Sequence, residues 1–429
     1  MRTALRSLIG ILLSLSSIGL AGEKTPLGEA VRDINVADHW IYDDWERALA
    51  EAKASGKPIL AVVRCVPCPP GKALDTAVMQ PDQSLAELEK KFVCVRLIEA
   101  NRLDLDLFQY DFDMSWSAMF LNADRTIYGR YGSRDASGPT ADRLLSLAAF
   151  QKAAERALEL HAAYPSNKSP LAAKTGPQSI YATPREIPGL TDRPAEPSIR
   201  QQCIHCHMVK EYALRAKWEA GKLTADDLYV FPQPTNIGLT TNLDDGLLID
   251  SVAANSAAAE AGLAPGDSLV SLNGQPLISL ADIQWVLNSA PHEGKLAATV
   301  RRGGQVVEMS IPLRKGWKKY DIGWRASSWY GLRQGLKTEA LSDDEKANRG
   351  ISRDGLALLV KNLFGKSATV LADAGVNKDD VIVAVDGKTD AMSESDFLVW
   401  LRLGHGPKDA VTFTIFRDGK RRDVAVPMW

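Results

Sequence analysis

The C-terminal half of the chain repeats itself, and a repeat of this kind restricts the available folds more than any other feature of the sequence. Residues 256–274 (SAAAEAGLAPGDSLVSLNG) return as residues 367–387 (SATVLADAGVNKDDVIVAVDG). Each copy predicts a short helix, a glycine turn, a strand, and then an Asn-Gly or Asp-Gly turn of the type that closes hairpins. A second helical pattern follows each copy, at 279–288 and 393–403, and paired strands follow around Arg302-Gly303-Gly304 and Arg417-Asp418-Gly419. Two small domains of one design account for this economically. A chain of 429 residues favours roughly three domains, so the N-terminal half is left to form one more.

That half reads as an alternating α/β unit over 40–163. Residues 43–54 place Trp45, Leu49 and Ala52 on one helical face, and Gly56 ends the run. Residues 59–63 (ILAVV) form the continuous apolar run of a strand buried on both faces. A helix over 84–91, strands over 92–98, 118–122 and 127–131, and a helix over 140–160 complete the pattern. Cys94 sits inside the second of these strands and reads as a small buried apolar residue. From 164 to 197 seven prolines are interspersed with Ser, Thr and Lys, which predicts an extended linker. A short segment, 198–230, separates it from the repeats at 231–315 and 319–429.

The first residues carry Arg2 and Arg6, an apolar run over 8–20, and then Gly19, Leu20 and Ala21. This pattern predicts a secretory signal over 1–21, too short for a comfortable membrane span. An exported protein is the expectation, periplasmic or extracellular, with no membrane span after signal cleavage. Fifty-one Lys and Arg stand against 53 Asp and Glu, a balance that argues against nucleic acid as a partner. Nothing in the chain carries the Gly-Asn-Ser-Gly-Gly signature of a trypsin-like protease, a phosphate loop, or a pair of catalytic carboxylates.

Four of the five cysteines form two C-x-x-C pairs, and their placement matters more than their number. Cys65 and Cys68 follow directly on the buried strand and open a helix. A helix N-terminus stabilises a thiolate, the nucleophile of disulfide exchange, and the adjacent Arg64 is expected to lower the Cys65 pKa further. Cys65 would attack a substrate disulfide and Cys68 would resolve the mixed disulfide. A static disulfide and a metal site are the alternatives for this pair. Cys203-Ile204-His205-Cys206-His207 is the C-x-x-C-H pattern in which two thiols bind haem vinyl groups covalently and the last imidazole ligates iron. Haem c at Cys203, Cys206 and His207 is one expectation for it. A zinc site using a His, with His207 as metal ligand, and a second disulfide remain open beside it.

The repeats resemble PDZ domains of the bacterial exported type through the stretch A-G-L-A-P-G-D-S-L-V-S-L-N-G over 261–274. The second copy replaces the Pro-Gly pair with Asn377-Lys378-Asp379. The 40–163 unit, with Cys65-Val66-Pro67-Cys68 after its strand, resembles a thioredoxin-like domain, although Trp116-Ser117-Ala118 lacks the proline usual in the loop facing the dithiol. Together they are similar to the family of exported thioredoxin/PDZ (seleno)proteins. The resemblance implies a multi-domain protein, an α/β thioredoxin-like domain followed by two mainly-β PDZ domains. It also implies that exported proteins or peptides bind as an added strand, with main-chain N–H groups holding a C-terminal carboxylate. The matching loops would be Ile237-Gly238-Leu239 in the first repeat and Ile322-Gly323-Trp324 in the second. The function implied is thiol–disulfide exchange on clients held by the PDZ domains. A non-enzymatic PDZ scaffold and a haem c electron-transfer protein are the alternatives.

Overall fold

The computed structural model describes residues 37–79, 82–135, 143–191, 202–331, 335–365 and 367–428. The expected signal segment at 1–21 lies outside the described residues. The N-terminal unit runs β1 (Ile41–Tyr42), α1 (Trp45–Ser55), β2 (Ile59–Arg64), α2 (Pro69–Val78), α3 (Gln83–Glu89), β3 (Val93–Leu97), β4 (Trp116–Leu121), β5 (Ile127–Tyr131) and α4 (Leu147–Ala162). Its sheet has the order β1-β3-β2-β4-β5, with β2 parallel to β3 and antiparallel to β4. The central position of β2 follows from its residues, all six of which are buried. Leu60 and Val62 pack on one face with Phe120 and Phe150, while Ile59, Ala61 and Val63 pack on the other with Ala48 and Met119. Asp44 caps α1 by accepting from the Arg47 N–H at 3.0 Å, and Gly56, at φ 71°, ends it.

The proline-rich stretch is not an extended linker over its described part. Proline forbids ladder hydrogen bonds but suits the first turn of a helix, and short turns form at Lys168–Leu171 and Pro184–Glu186. The apolar residues between the prolines then find cores to enter. Leu171 joins the core of the N-terminal unit, and Ile187 and Leu190 pack with Leu105, Ile204 and Val209. Next comes α5 (Cys206–Glu219). Its far end reaches the last domain, where Trp218 is buried in the core and donates its indole N–H to the His405 carbonyl at 2.7 Å.

The first repeat contains β6 (Leu239–Thr241), β7 (Ile249–Val252), α6 (Ala257–Glu260), β8 (Ser268–Leu272), β9 (Gln275–Pro276), α7 (Leu280–Ser289), β10 (Gly294–Arg302) and β11 (Gln305–Leu313). After α8 (Ala326–Gly331), the second contains β12 (Leu336–Ala340), α9 (Asp343–Asn348), β13 (Leu358–Leu363), α10 (Ser367–Asp373), β14 (Val381–Val385), α11 (Glu394–Gly404), β15 (Ala410–Arg417) and β16 (Lys420–Pro427). The repeated sequence becomes one repeated fastening. Arg302 grips the buried Asp267 through Nε and Nη2, each at 2.6 Å, and donates to the Gly262 carbonyl at 2.8 Å. Arg417 does the same to Asp380, at 2.5 and 2.6 Å, and to the Gly375 carbonyl at 2.8 Å. A two-point guanidinium–carboxylate pair fixes angle as well as distance, so it locks the closing hairpin onto the glycine turn.

Candidate functional site

The site grows from the end of β2. Cys65 leaves the strand with its backbone N–H bonded to the Ser115 carbonyl at 3.0 Å, and Cys68 is the N-cap of α2. Pro69 at the first helical position costs nothing there, because that N–H has no helical partner to lose. Cys65 and Cys68 form a disulfide. They are 2% and 6% exposed, so the pair sits beneath the surface rather than on it. Gly71 permits this close approach: a Cβ there would stand 2.7 Å from the Ser115 carbonyl oxygen. Ser115, at φ 61°, faces the disulfide from the turn just before β4, next to Trp116-Ser117-Ala118 where no proline stands.

Arg64, expected to act on the Cys65 thiol, is tied to a carboxylate. Adjacent residues at the end of a strand project to opposite faces. Arg64 Nη1 therefore meets Asp75 at 2.6 Å, in a buried cluster where Asp75 also accepts from Arg96 at 2.8 Å and from the Trp116 indole at 3.0 Å.

The main finding is that the second cysteine pair lies against the first. Cys206 is packed with Cys65, Cys68, Ala100 and Phe112, and Cys203 with Ile98, Tyr42 and Val66. Neither forms a disulfide, and both are buried. Asn101 fastens this segment by accepting from the Ile204 N–H at 2.6 Å and donating to the Gln202 carbonyl at 3.2 Å. His205, the N-cap of α5, brings Nδ1 to 3.4 Å from Cys68 Sγ. Two helix N-termini, each with partial positive charge, thus converge on the sulfur atoms. Burial pushes the Cys206 thiol up to about 11, opposed in part by the neighbouring Tyr110 hydroxyl. Cys206 is therefore a neutral thiol at physiological pH. Burial likewise raises Cys94, whose Sγ lies 3.5 Å from the Glu89 carbonyl, in keeping with a core residue.

The residues do not fit a haem in this arrangement. Thioether bonds would set a macrocycle against both Cys203 and Cys206, and that space is filled by the side chains of the N-terminal unit. His207, the expected iron or metal ligand, instead stands beside Glu211, with Nδ1 3.5 Å from its carboxylate. The ligand atoms that do come together are Cys65 Sγ, Cys68 Sγ and a nitrogen of His205, all within 4.8 Å of one another.

A lock outside the sulfur cluster holds one of its walls. Phe112 belongs to a single turn, Phe112–Met114, flanked by the buried Asp111 and containing the buried Asp113. Arg325, from the segment joining the two repeats, donates Nη1 to both Asp111 oxygens at 2.8 Å and to Asp113 at 3.0 Å. Ser327 donates its N–H to Asp113 at 2.7 Å, and Lys210 Nζ lies 3.4 Å away. Burial alone would raise the Asp113 carboxyl, but Lys210 and Arg325 hold it down at about 2.

The expected peptide loops meet different outcomes. Ile237 is buried, Gly238 has φ 88° and Leu239 begins β6, which pairs with β7 on one side only among the described residues. A Cβ on Gly238 would stand 2.1 Å from the Ser256 Cβ. The matching position in the second repeat is Gly335-Leu336, not Ile322-Gly323-Trp324. Gly335 has φ 72°, a Cβ there would stand 2.4 Å from the Ser367 Cβ, and Leu336 begins β12 at the sheet edge. Ile322 is instead buried with Leu214, Leu228 and Tyr229, and the Trp324 ring stacks on Arg325 at 4.6 Å. Asn-Ile-Gly-Leu and Asp-Ile-Gly-Trp look alike as strings; the better signal is a Gly-Leu pair leading into a strand, with a serine at the start of the helix packed against the glycine.

Comparison with known proteins follows the same division. Residues 40–123 match the thioredoxin-like family, and residues 236–313 and 359–428 each match the PDZ domain family. Periplasmic serine endoprotease DegP of Escherichia coli (strain K12) is 28% identical over 141 residues, 33% of this chain and 26% of DegP. The probable periplasmic serine endoprotease DegP-like of Pseudomonas savastanoi pv. phaseolicola (strain 1448A / Race 6) is 26% identical over 210 residues, 47% of this chain and 42% of that protein. The chain thus spans less than half the length of these relatives. Among solved structures, the HtrA3 PDZ domain bound to a phage-derived ligand is 33% identical, covering 16% of this chain and 62% of that one, with a TM-score of 0.14. Among the described residues, no helix is long and apolar enough to cross a membrane.

Proposed function

We propose, for a chain that joins one thioredoxin-like domain to two PDZ domains, that it performs thiol–disulfide exchange at Cys65 and Cys68 on exported protein clients held by its PDZ grooves. The observation carrying this reading is the Cys65–Cys68 pair at the head of α2 with His205 Nδ1 3.4 Å from Cys68 Sγ. In the reduced protein Cys65 attacks a client sulfur and the client's leaving thiolate departs. His205 takes the proton of Cys68, whose sulfur then attacks Cys65 of the mixed disulfide and frees the client. The helix dipole of α2 favours the thiolate forms throughout. Clients reach the pair only if the 203–207 segment and Phe112 move aside, since both sulfurs are covered.

The PDZ grooves raise the local concentration of client at the dithiol without any added contact there. Gly238 and Gly335 support strand addition because each stands in the left-handed region just before an edge strand, where a close-approaching peptide terminus meets bare backbone. An exported location agrees with the N-terminal apolar run and with relatives described as periplasmic.

Burial of both cysteines favours one second reading, a structural bridge in a PDZ scaffold. The two readings part in one experiment. Cys68→Ser should trap mixed disulfides with exported proteins, whereas Cys65→Ser should trap none. A reduction potential below about −300 mV, the range of inert bridges, together with no trapped client, overturns the exchange reading and leaves the scaffold.

A further inference from the structure

We propose that the reduced Cys65–Cys68 pair and His205 form a site for a soft d10 metal cation, with Cu(I) as the occupant. The proposal rests on the reading that the pair can be reduced in the folded protein. Its core is a donor set drawn from two distant parts of the chain. Cys65 Sγ, Cys68 Sγ and His205 nitrogen lie within 4.8 Å of one another, and no further His, Cys, Asp or Glu joins them among the described residues.

The separation of the imidazole from Cys68 suits coordination once the disulfide is reduced. Metal–sulfur and metal–nitrogen bonds of about 2.3 and 2.0 Å put the two donor atoms of one metal roughly 3.5–3.7 Å apart. His205 Nδ1 and Cys68 Sγ already stand at 3.4 Å. The ring is held there by the backbone rather than by chance: Asn101 grips the Ile204 N–H at 2.6 Å, and the His205 N–H meets the Met208 sulfur at 3.4 Å.

Donor type and number choose the metal. Thiolate sulfur selects soft cations such as Cu(I) and Zn(II) over Mg, Ca or Mn. Zinc prefers four ligands in a tetrahedron, and this buried set offers three. Cu(I) is content with three. Two thiolates and Cu(I) leave one negative charge, which the N-termini of α2 and α5 face from two sides.

Loading is balanced as follows. An external dithiol reduces the Cys65–Cys68 disulfide by two electrons and becomes a disulfide itself. Each thiol then releases a proton to solvent as its sulfur–copper bond forms, while copper stays Cu(I). Oxidation of the pair would expel the metal, so metal occupancy and disulfide exchange are alternative states of one centre.

The test titrates the full-length protein, reduced with a phosphine and kept anaerobic, with Cu(I) against a chromogenic Cu(I) chelator. One Cu(I) per chain is expected, with X-ray absorption reporting two sulfurs and one nitrogen. Cys65→Ser and Cys68→Ser should abolish binding, and His205→Ala should weaken it at least tenfold and remove the nitrogen. His205→Asn serves as a second variant, with thermal unfolding showing that each variant is folded. Cys203→Ser should leave stoichiometry and affinity unchanged. Binding that survives Cys68→Ser, ignores His205 or requires Cys203 overturns the proposal. A preference for Zn(II), measured in a parallel titration, overturns the choice of copper. Client trapping by Cys68→Ser is scored separately, so a protein that exchanges but binds no Cu(I) loses this proposal alone. A protein that binds Cu(I) and traps no client loses only the exchange reading.

Discussion

The two PDZ domains share one internal plan and are held in the molecule by different means. Arg302–Asp267 and Arg417–Asp380 match bond for bond, down to the third bond to a glycine carbonyl. Toward the rest of the molecule the two copies differ. In the first PDZ domain, α7 is pressed against the thioredoxin-like domain. Its Asp282 pairs with Lys174 at 2.7 Å with both side chains fully buried, and Ile278 lies so close to β5 that a Cβ on Gly129 would meet it at 2.4 Å. In the second, α11 faces its own edge strand, where Glu394 accepts from the Thr338 N–H at 3.1 Å. Its ties run instead through Trp218 at one side and, just before the domain, through Arg325, which grips Asp111 and Asp113 at the turn beside the dithiol. Duplication copied what a domain needs to fold, while each copy's outer surface was left to suit its neighbours.

The largest effect should come from separating the docking charges. Asp282→Ala leaves the Lys174 ammonium buried and unpaired, and breaking such a pair costs about 3–5 kcal/mol. Thermal unfolding should show a large loss, concentrated in the first PDZ domain and its contact with β5. Replacing both partners, Asp282→Leu with Lys174→Met, should recover most of it; failure to recover would mean that the pair's geometry, not its charge, holds the dock.

Arg325→Met should carry a comparable cost but a different signature, because its carboxylates border Phe112. Reactivity of the dithiol should change in this variant and remain unchanged in Asp282→Ala. Equal dithiol reactivity in both would break the distinction between the two anchors.

Acid should sharpen the same contrast. Asp113 is held at about 2, below its ordinary value of 3.8. Its contribution, of order 2 kcal/mol, is fully present above the unfolded value and is lost as pH falls through about 2. The pH dependence of unfolding between 5 and 2 should flatten in Asp113→Asn, although that variant is less stable at pH 7.

The smallest effects should come from the shared fastening. Arg302→Ala and Arg417→Ala should each cost modest stability, because each leaves the Asp267 or Asp380 carboxylate without its two-point partner. Hydrogen exchange should place each loss in its own domain. Markedly unequal losses would show that the copies have diverged internally as well as outside.

Particular residues show what could be read in advance. The repeat at 256–274 and 367–387 announced two like domains, because the helix, turn and hairpin chemistry is local and stands in the string. The run over 59–63 announced a buried strand for the same reason, and Cys65 and Cys68 stood out by spacing alone. The proline-rich stretch misled because proline count reports what a segment cannot do, a ladder, and not what Leu171, Ile187 and Leu190 can bury. His205 was overlooked for His207 because the C-x-x-C-H spacing drew attention to the last residue, whereas the cap position of α5 turns the middle imidazole toward Cys68.

By itself, the sequence determined the domain types, their order and the cysteine spacing, all of which depend on residues near one another along the chain. Only the tertiary structure decided that Cys203-Ile204-His205-Cys206 covers the Cys65–Cys68 pair, and that Arg325 braces the turn beside it. Those contacts join residues more than a hundred positions apart, as the 137-residue span from Cys68 to His205 illustrates. No local preference encodes such a meeting. It is selected by the burial of apolar surface and by the need of each buried charge, thiol and ring nitrogen for a partner once water is gone.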